Sequence, residues 1–243
     1  KFITGEGMCR KESRSQSWTN SFLLTIFIIF TTQNLISSPV DDHQERFEDV
    51  ALKIWEYAEL GYLEEKSSGL LQQELEDSGF TIQSGIAGIP TAFIAEYNNG
   101  GPILGILGEF DALPGLSQQN VPFKTSEGLS SANGHACGHH LFGAASAWAV
   151  VAIKEWLEES GTPGTIRFYG TPAEEGGSGK VYIARDGYFD DVDIVLHWHP
   201  ASGNSADAQS SNSNKSGKFT FSGISAHAAS APEKGRSALD GVE

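Results

Sequence analysis

The sequence predicts an open α/β sheet, because strand-like and helix-like segments alternate along the chain beyond residue 40. Two of the strand-like runs are almost continuously apolar, which is typical of strands covered on both faces. Residues rich in carboxylates, imidazoles and a thiol follow these runs, and ligand sites in open α/β sheets lie beyond the carboxyl ends of the strands. These observations indicate a globular domain with a polar site at one edge of its sheet.

Two amphipathic helices are predicted first. In HQERFEDVALKIWEYAEL the apolar residues Phe47, Val50, Ile54 and Tyr57 have the three-to-four spacing of a helix that buries one face. The segment SSGLLQQELEDSGF repeats this spacing and is expected to stop at Gly79, since Gly is favoured just beyond a helix C-terminus.

Four strand-like runs follow, in the order TAFIAEY, PILGILGEF, TIRFYG and DIVLHWH. The second and fourth are nearly continuous in apolar residues, so both are expected to be central strands. A long helix, LFGAASAWAVVAIKEWLEES, is predicted between two of them. Near the end of the chain, KFTFSGIS predicts the first strand of a new domain and SALDGVE the start of a helix.

Composition limits the class of protein and of partner. The 243 residues are 39% apolar and 19% charged, which indicates a globular chain with one good core. A formal net charge of −15 argues against nucleic acid or an anionic membrane as the main partner. A small-molecule ligand is therefore expected.

The N-terminal region predicts a targeting segment. Met8 is the single methionine, and basic residues after it precede the apolar run FLLTIFIIF. This pattern is typical of a secretory signal peptide, and the run is too short to favour a membrane anchor. Residues 1–38 are therefore predicted to be upstream residues plus a signal peptide, and the protein to be secreted or extracytoplasmic. Without a functional signal, it would be cytoplasmic.

The loop NGHACGHHLFG predicts a metal site. A lone cysteine is more often a small buried apolar residue than a ligand. Cys137, however, has His135 and His139 two residues away on either side, and thiolate and imidazole are the ligands that zinc-like ions bind best. His140, which follows directly, is open to a simpler interpretation as the start of the next helix.

Three strand-like runs end in further candidates for a site. The residues at these strand ends are Glu109, Asp111, Glu174, Glu175, His197 and His199. An acidic pair such as Glu174 and Glu175 is usually a solvated charge pair, but this one lies between a strand and a Gly-Gly turn. Because the candidate ligands are spread over three strand ends, a structural zinc module, which draws on tight local pairs, is disfavoured.

The two histidines of HWH cannot be separated by orientation. Within a strand, side chains alternate with period two, so His197 and His199 are expected to point to the same face. Position favours His199, since it directly precedes Pro200 and lies nearer the crevice beyond the strand.

Two other catalytic motifs are excluded. The stretch GGSGKV lacks the Ser or Thr after Lys180, and the earlier Gly, that a phosphate-binding P-loop requires. No G-x-S-x-G sequence marks a serine hydrolase.

Taken together, DALPGLSQ, GHACGHHLFG, GTPAEEGGSGK, WHP and FSGISAHAASAPEKGRSALDGVE resemble the amidohydrolase branch of the aminoacylase and carboxypeptidase metallopeptidase superfamily. The resemblance runs from about residue 43 to residue 243. It implies a zinc-peptidase-like α/β catalytic domain, of which residues 39–213 are expected to be the N-terminal part, and a smaller α+β lid and dimerisation domain that begins at 214–243. It also implies hydrolysis of N-acyl amino acids or small dipeptides with two divalent metal ions, zinc or manganese.

The resemblance also implies roles for individual residues. It makes Cys137, His139, Glu175 and one histidine of HWH metal ligands, and counting from Glu175 along the family pattern favours His199. Glu174 would be the general base, Asp111 would orient a ligand histidine, and His227 would reach the substrate carbonyl oxygen. Glu109 stands where other branches carry a ligand histidine, and His140 where Asp or Asn is common, so their roles stay open.

The sequence therefore predicts a metal-dependent amidohydrolase that acts on a small molecule and forms a homodimer through its lid. The alternative is a non-catalytic relative that binds metal or acyl-amino acids without turnover. Retention of Glu174, which a binding protein would not need, favours the enzyme. Residues 214–243 are expected to be only the first part of the lid, and the chain as given is expected to be inactive alone.

Overall fold

The computed structural model describes residues 41–125, 132–206, 210, 212–213, 215 and 217–243. The predicted signal peptide lies outside these residues. Among the described helices, none has the length and apolar character needed to cross a membrane. The chain forms two compact units, the first ending at Ala201 and the second beginning at Ser202, and each is described by itself.

The first unit is a five-stranded mixed sheet with helices. Its helices are α1 (Gln44–Tyr57), α2 (Glu65–Asp77), α3 (His139–Ser160), α4 (Glu174–Gly177) and α5 (Gly179–Arg185), and its strands are β1 (Thr81–Ser84), β2 (Phe93–Asn98), β3 (Ile103–Gly108), β4 (Thr165–Gly170) and β5 (Ile194–Leu196). Short 3-10 turns cover Asp41–His43 and Ile86–Gly88.

The order of the strands in the sheet is β1-β2-β4-β3-β5. Strand β3 pairs in parallel with both β4 and β5, whereas β2 runs antiparallel to β4 and to β1. The carboxyl ends of β3, β4 and β5 therefore meet at one edge of the sheet. The predicted open α/β sheet is confirmed, with an antiparallel pair of strands added on one side.

The core forms where α2 and α3 pack against the sheet and α1 packs against these two helices. Phe47, Val50 and Ile54 of α1 are buried as their spacing predicts, and Tyr57 is half-buried. Phe47 also stacks on Trp148 of α3, with ring centroids 6.2 Å apart. The apolar stripe of α1 thus fixes the position of α3, whose first residue belongs to the site.

The predicted helix ends agree with the structure. Helix α2 ends at Asp77, and Gly79 has a left-handed backbone with φ of 87°, as the predicted stop requires. The long predicted helix is α3, which begins at His139, two residues earlier than the apolar pattern.

The prediction of two central strands is correct for β3 and wrong for β5 within the described chain. Strand β5 lies at the sheet edge, and the side chains of Ile194, Val195 and Leu196 are 57%, 43% and 50% exposed. It is also shorter than predicted, because the ladder with β3 stops at Leu196 and leaves the HWH residues beyond the strand.

The second unit contains a 3-10 turn, Pro232–Lys234, and a short helix α6, Ala238–Val242. The predicted helix is confirmed, and its N-cap is Ser237, whose Oγ accepts a 3.2 Å hydrogen bond from the Asp240 N–H. The predicted strand KFTFSGIS is wrong: its described residues form only one isolated bridge, between Ile224 and Arg236. An extended segment becomes a strand only when a neighbouring strand supplies hydrogen-bond partners, and no described strand pairs with this segment.

Candidate active site

His139 lies at the centre of the polar cluster beyond the sheet edge. Its side chain is fully buried, and Nδ1 donates a 2.8 Å hydrogen bond to Oδ1 of Asp111. The other ring nitrogen, Nε2, lies 2.9 Å from Oε2 of Glu109. The pair lacks hydrogen-bond geometry, so both buried atoms are without a hydrogen-bond partner. Asp111 therefore fixes the ring of His139 and leaves Nε2 available to a ligand.

The Cys137 thiol approaches the same point from the loop before α3. Its Sγ lies 3.3 Å from Nε2 of His199. Gly138 makes this approach possible, because it has φ of 80° and a Cβ there would lie only 3.1 Å from Cβ of Pro200. Any other residue at this position would therefore strain the backbone and press against Pro200 where the loop of Cys137 packs on the segment of His199.

His197 and His199 have different surroundings. Nε2 of His197 lies 3.7 Å from Oε1 of Glu109, and its ring packs edge-on against Phe142 at 5.0 Å between centroids. Between the two histidines, Nε1 of Trp198 donates a 2.9 Å hydrogen bond to Oγ of Ser146 on α3. Both histidines lie beyond the end of β5, so the expectation that strand alternation points them to one face does not apply.

Helix α4 carries the acidic pair. It begins after Ala173, which has left-handed φ and ψ of 56° and 43°, a conformation that costs a non-glycine residue about 1 kcal/mol. The Glu175 N–H donates a 2.9 Å hydrogen bond to Oδ2 of Asp111. Oε2 of Glu174 lies 3.9 Å from Nε2 of His139, and Oε1 of Glu175 is buried without a partner. Asp111 thus connects the acidic turn to His139.

The charges around His139 perturb the protonation of both predicted ligands on this loop. Burial alone would lower the pKa of His139, but the carboxylates of Asp111 and Glu109 raise it to about 10. Burial and the neighbouring carboxylates, Glu175 first among them, raise the pKa of the Cys137 thiol to about 11. The surroundings therefore favour a positive charge beside these groups, and a bound cation would reverse the effect on the thiol.

Glu109 and Glu174 are shifted in opposite directions. Burial would raise the pKa of Glu109, but contacts with His139, His197 and the Lys180 ammonium outweigh burial and hold it well below its usual range. Lys180 makes an ion pair with Oε1 of Glu109. Burial and the charge of Glu109 raise the pKa of Glu174, whose side chain is 43% exposed. Of these two carboxylates, the more exposed one, Glu174, is thus the more basic.

Two groups of side chains at this edge have the spacing of a metal site. Ligand atoms of Cys137, His139 and His199 lie within 4.8 Å of one another, and so do those of Glu109, His139 and Glu174. The unpartnered buried atoms of His139, Glu109 and Glu175, together with a donor set of sulfur, nitrogen and oxygen, fit a divalent cation of the zinc class.

The structure brings most of the predicted site residues together. Glu175 is in neither of the two groups, although its backbone contacts Asp111. His135 is buried elsewhere, with Nε2 bonded to the Ile54 carbonyl oxygen at 3.0 Å, and its ring contacts His140 at 5.1 Å. Burial lowers the pKa of both rings to about 4. These two histidines therefore contact each other in the interior and belong to neither group of candidate ligands.

His227 lies in the second unit. Its Nδ1 accepts hydrogen bonds from the backbone N–H groups of Ala229 and Ser230, both at 3.2 Å, and the ring is exposed. The histidine thus closes a local turn within the SAHAA segment.

Sequence reasoning missed three residues that support the site. Lys180 appeared only in an excluded P-loop pattern, yet it pairs with Glu109. Ser146 holds Trp198, and Glu64 is fully buried beside Ala173. Of these three residues, Ser146 alone had a signal in the sequence. It interrupts the apolar stripe of the long helix, and a polar residue on a buried helix face needs a hydrogen-bond partner.

Comparison with known proteins adds sequence relatives. Residues 105–221 match the family described as peptidase family M20/M25/M40. The chain is 44% identical to a p-aminobenzoyl-glutamate hydrolase polypeptide of Escherichia coli over 207 residues, which cover 85% of the chain and 43% of the relative. It is 31% identical to the mouse Xaa-Arg dipeptidase over 214 residues, which cover 83% of the chain and 45% of that relative. The chain therefore spans less than half the length of these curated relatives.

A solved structure agrees with the sequence relatives. The YXEP protein of Bacillus subtilis, described as a dinuclear metal-binding peptidase of the M20 family, matches with a TM-score of 0.56 at 26% identity. The match covers 65% of this chain and 43% of that protein. With its strand-end carboxylates and its cysteine and histidine cluster, the chain belongs to peptidase family M20/M25/M40.

Proposed function

We propose that this chain carries catalytic residues of a metal-dependent amidohydrolase that cleaves the amide bond of N-acyl amino acids or small dipeptides. The observation that carries the proposal is the position of Glu174, a partly exposed carboxylate 3.9 Å from Nε2 of His139 and beside a cluster of cation ligands. The names of the E. coli and mouse relatives, both of which describe hydrolysis at an amide of an amino acid, support the substrate class.

The metal ligands in this proposal are Cys137, His139, Glu175 and His199, which would hold two divalent ions together with neighbouring carboxylates. A thiol, imidazoles and carboxylates suit zinc, and the oxygen-rich side of the cluster also suits manganese. Bound there, such ions would polarise an amide carbonyl and make water acidic enough to react near neutral pH.

The side chains of the chain perform the proton transfers and hold the site. Glu174 would take a proton from the attacking water at its carboxylate and deliver it to the leaving amine, which suits a carboxylate whose pKa is raised by burial and by Glu109. Asp111 would keep the proton of His139 on Nδ1, so that Nε2 faces the cluster. His139, His197 and Lys180 together would keep Glu109 ionised.

Three further parts of the prediction belong to the proposal. His227 would contact the substrate carbonyl oxygen, the lid would form a homodimer, and the protein would be exported by its N-terminal segment. They rest on the sequence patterns and on the family resemblance, and the substrate-contacting role suits an exposed imidazole such as that of His227.

The test is a Glu174→Gln variant of the full-length protein, assayed for amine release from a panel of N-acyl amino acids that includes p-aminobenzoyl-glutamate. The variant keeps the size of the side chain but removes the base, so kcat should fall by about 10² to 10⁴ while bound zinc or manganese stays constant. Glu159→Gln makes the same change at the exposed end of α3 and should leave both quantities unchanged.

Near-normal kcat in Glu174→Gln would reassign the base. A wild-type protein that binds metal and acyl-amino acids but releases no amine would instead be the non-catalytic relative.

A further inference from the structure

Glu64 is a buried carboxylate that the proposed reaction does not use. It lies directly before α2, and its side chain is 0% exposed. Oε1 accepts a 2.8 Å hydrogen bond from the Ala173 N–H, and Oε2 accepts a 3.1 Å hydrogen bond from Oγ1 of Thr91. Thr91 is itself 2% exposed. Both oxygens therefore have specific partners, and one of these is the residue just before Glu174.

The segment that contains Glu64 contacts the acidic turn at three points. Besides the bond from Glu64 to Ala173, the Tyr62 hydroxyl donates a 2.5 Å hydrogen bond to the Gly177 carbonyl oxygen. Gly61 packs so closely on the turn that a Cβ there would lie 2.9 Å from Cα of Ala173. The turn is thus enclosed from one side by a continuous piece of chain.

The contact with Ala173 matters because this residue is strained. Ala173 has a left-handed backbone, which an alanine adopts only when its surroundings hold it there. On the other side of Glu174, the Glu175 N–H is held by Asp111. Glu174 therefore lies between two backbone N–H groups, each fixed by a buried carboxylate.

We propose that Glu64 is a positioning residue for the general base: it holds the Ala173 backbone in its left-handed conformation and so directs the Glu174 carboxylate toward His139. The inference rests on the proposed function, because it gives the turn a catalytic purpose. Glu64 acts through Ala173, since it is buried and belongs to neither group of candidate metal ligands.

A carboxylate at this position carries a cost for folding. Burying an acidic group is costly, and apolar side chains of similar volume usually serve stability better. Burial raises the pKa of Glu64 to about 7, although the hydrogen bonds that the side chain accepts act to lower it. This net rise reflects the cost of burying the carboxylate. What the carboxylate provides, and an apolar residue cannot, is an acceptor for the Ala173 N–H.

The test compares two variants of the full-length protein. Glu64→Met keeps the length of the side chain but offers no oxygen acceptor, so the Ala173 turn should relax and kcat should fall by about 10- to 100-fold. KM and bound metal should stay within about twofold, because Asp111 still holds the Glu175 N–H and the other proposed ligands lie outside the turn. Glu64→Gln retains an amide oxygen for the Ala173 N–H and should recover most of kcat. Glu65→Gln, at the exposed neighbour, is the control and should behave as wild type.

A double-mutant cycle separates positioning from general destabilisation. In a Glu174→Gln background the base is already lost, so Glu64→Met should lower the residual kcat by less than about twofold. Equal losses in both backgrounds, unchanged kcat in Glu64→Met, or a Gln variant as damaged as the Met variant would each overturn the proposal. If Glu64→Met fails to fold, Thr91→Val offers a second test, because it removes one of the two groups that hold Glu64. A smaller loss of kcat that vanishes in the Glu174→Gln background would support the proposal. An unchanged kcat in Thr91→Val would overturn it.

Hydrogen exchange gives a readout that does not depend on turnover. The Ala173 amide should be protected in wild type and in Glu64→Gln, and should exchange at least about tenfold faster in Glu64→Met. If protection is lost in Glu64→Met but the wild-type protein releases no amine, the positioning of Ala173 by Glu64 is supported and the proposed function is refuted. If protection of the Ala173 amide is unchanged in Glu64→Met, the positioning by Glu64 is refuted whatever the activity.

Discussion

The buried position of Glu64 predicts an unusual dependence of stability on pH, which Glu64→Gln should remove. In the folded protein burial raises the pKa of Glu64 from its ordinary 4.5 to about 7. Each tenfold change in a proton equilibrium is worth about 1.4 kcal/mol, so the ionised form is disfavoured on folding by about 3 kcal/mol. The side chain is fully buried, so water solvates its charge poorly in the folded state.

The direction follows from which state holds the proton more tightly. Between pH 4.5 and 7 the folded protein keeps a proton on Glu64 that the unfolded chain releases, so the stability from this group is complete below pH 4.5 and is lost as the pH rises through 7. Glutamine has no proton to lose. The free energy of unfolding of Glu64→Gln, relative to wild type, should therefore rise by about 3 kcal/mol between pH 4.5 and 8.

Urea unfolding of the metal-free protein, measured at half-unit steps of pH, tests this prediction, since the difference between variants cancels the other titrating groups. Glu65→Gln makes the same chemical change at an exposed neighbour and should run parallel to wild type. A flat difference for Glu64→Gln would show that folding leaves the pKa of Glu64 unchanged, and a difference that falls with rising pH would show that the folded protein favours the carboxylate; either result would refute the reasoning from burial.

Four further variants test the arrangement around the histidines. His199→Ala should abolish tight zinc binding in a metal titration, whereas His197→Ala, which removes a contact with a carboxylate and not with the thiol, should weaken it less; the opposite ranking would exchange their roles. Ser146→Ala should lower the free energy of unfolding by about 1 kcal/mol, because it removes the acceptor of the Trp198 N–H, and a change below the error of urea unfolding would contradict this. Phe142→Ala should cost about 3 to 5 kcal/mol in the same assay, because this fully buried ring packs against both histidines; a cost below about 1 kcal/mol would show that the site collapses to fill the space.

The parts of the fold that the sequence predicted are those with a local signal. The stripe of α1 and the left-handed Gly79 follow from spacing and from backbone conformation alone. Strand β1 was missed because Thr81–Ser84 is four residues long, mostly without apolar character, and largely exposed, so it shows no alternation. The edge position of β5 was missed because an apolar run indicates that a strand tends to be buried, but does not indicate which element covers it or whether a strand pairs on each side.

The site was predictable where it depends on the ends of parallel strands. Glu109, Asp111 and Glu174 converge on His139 because β3 and β4 end at one edge, as the open-sheet rule requires. Glu64 could not be predicted, since a single glutamate in an acidic stretch carries no spacing signal and its partner is 109 residues away. The two histidines of HWH could not be separated, because their surroundings depend on a close packing of loops and not on strand alternation.

The antiparallel strand β2 explains how residues outside the ends of the parallel strands come to hold the turn of the general base, Glu174. Phe93, the first residue of β2, pairs with Gly170, the last residue of β4, so the amino end of β2 lies at the same edge as the carboxyl ends of β3 and β4. Thr91, two residues before β2, is thereby carried next to the start of the acidic turn, where it donates to Glu64. A parallel β2 would have placed its amino end at the opposite edge. The mixed sheet therefore does more than extend the core: its antiparallel pairing brings the holder of the Ala173 turn to the edge where the parallel strands deliver the reacting groups.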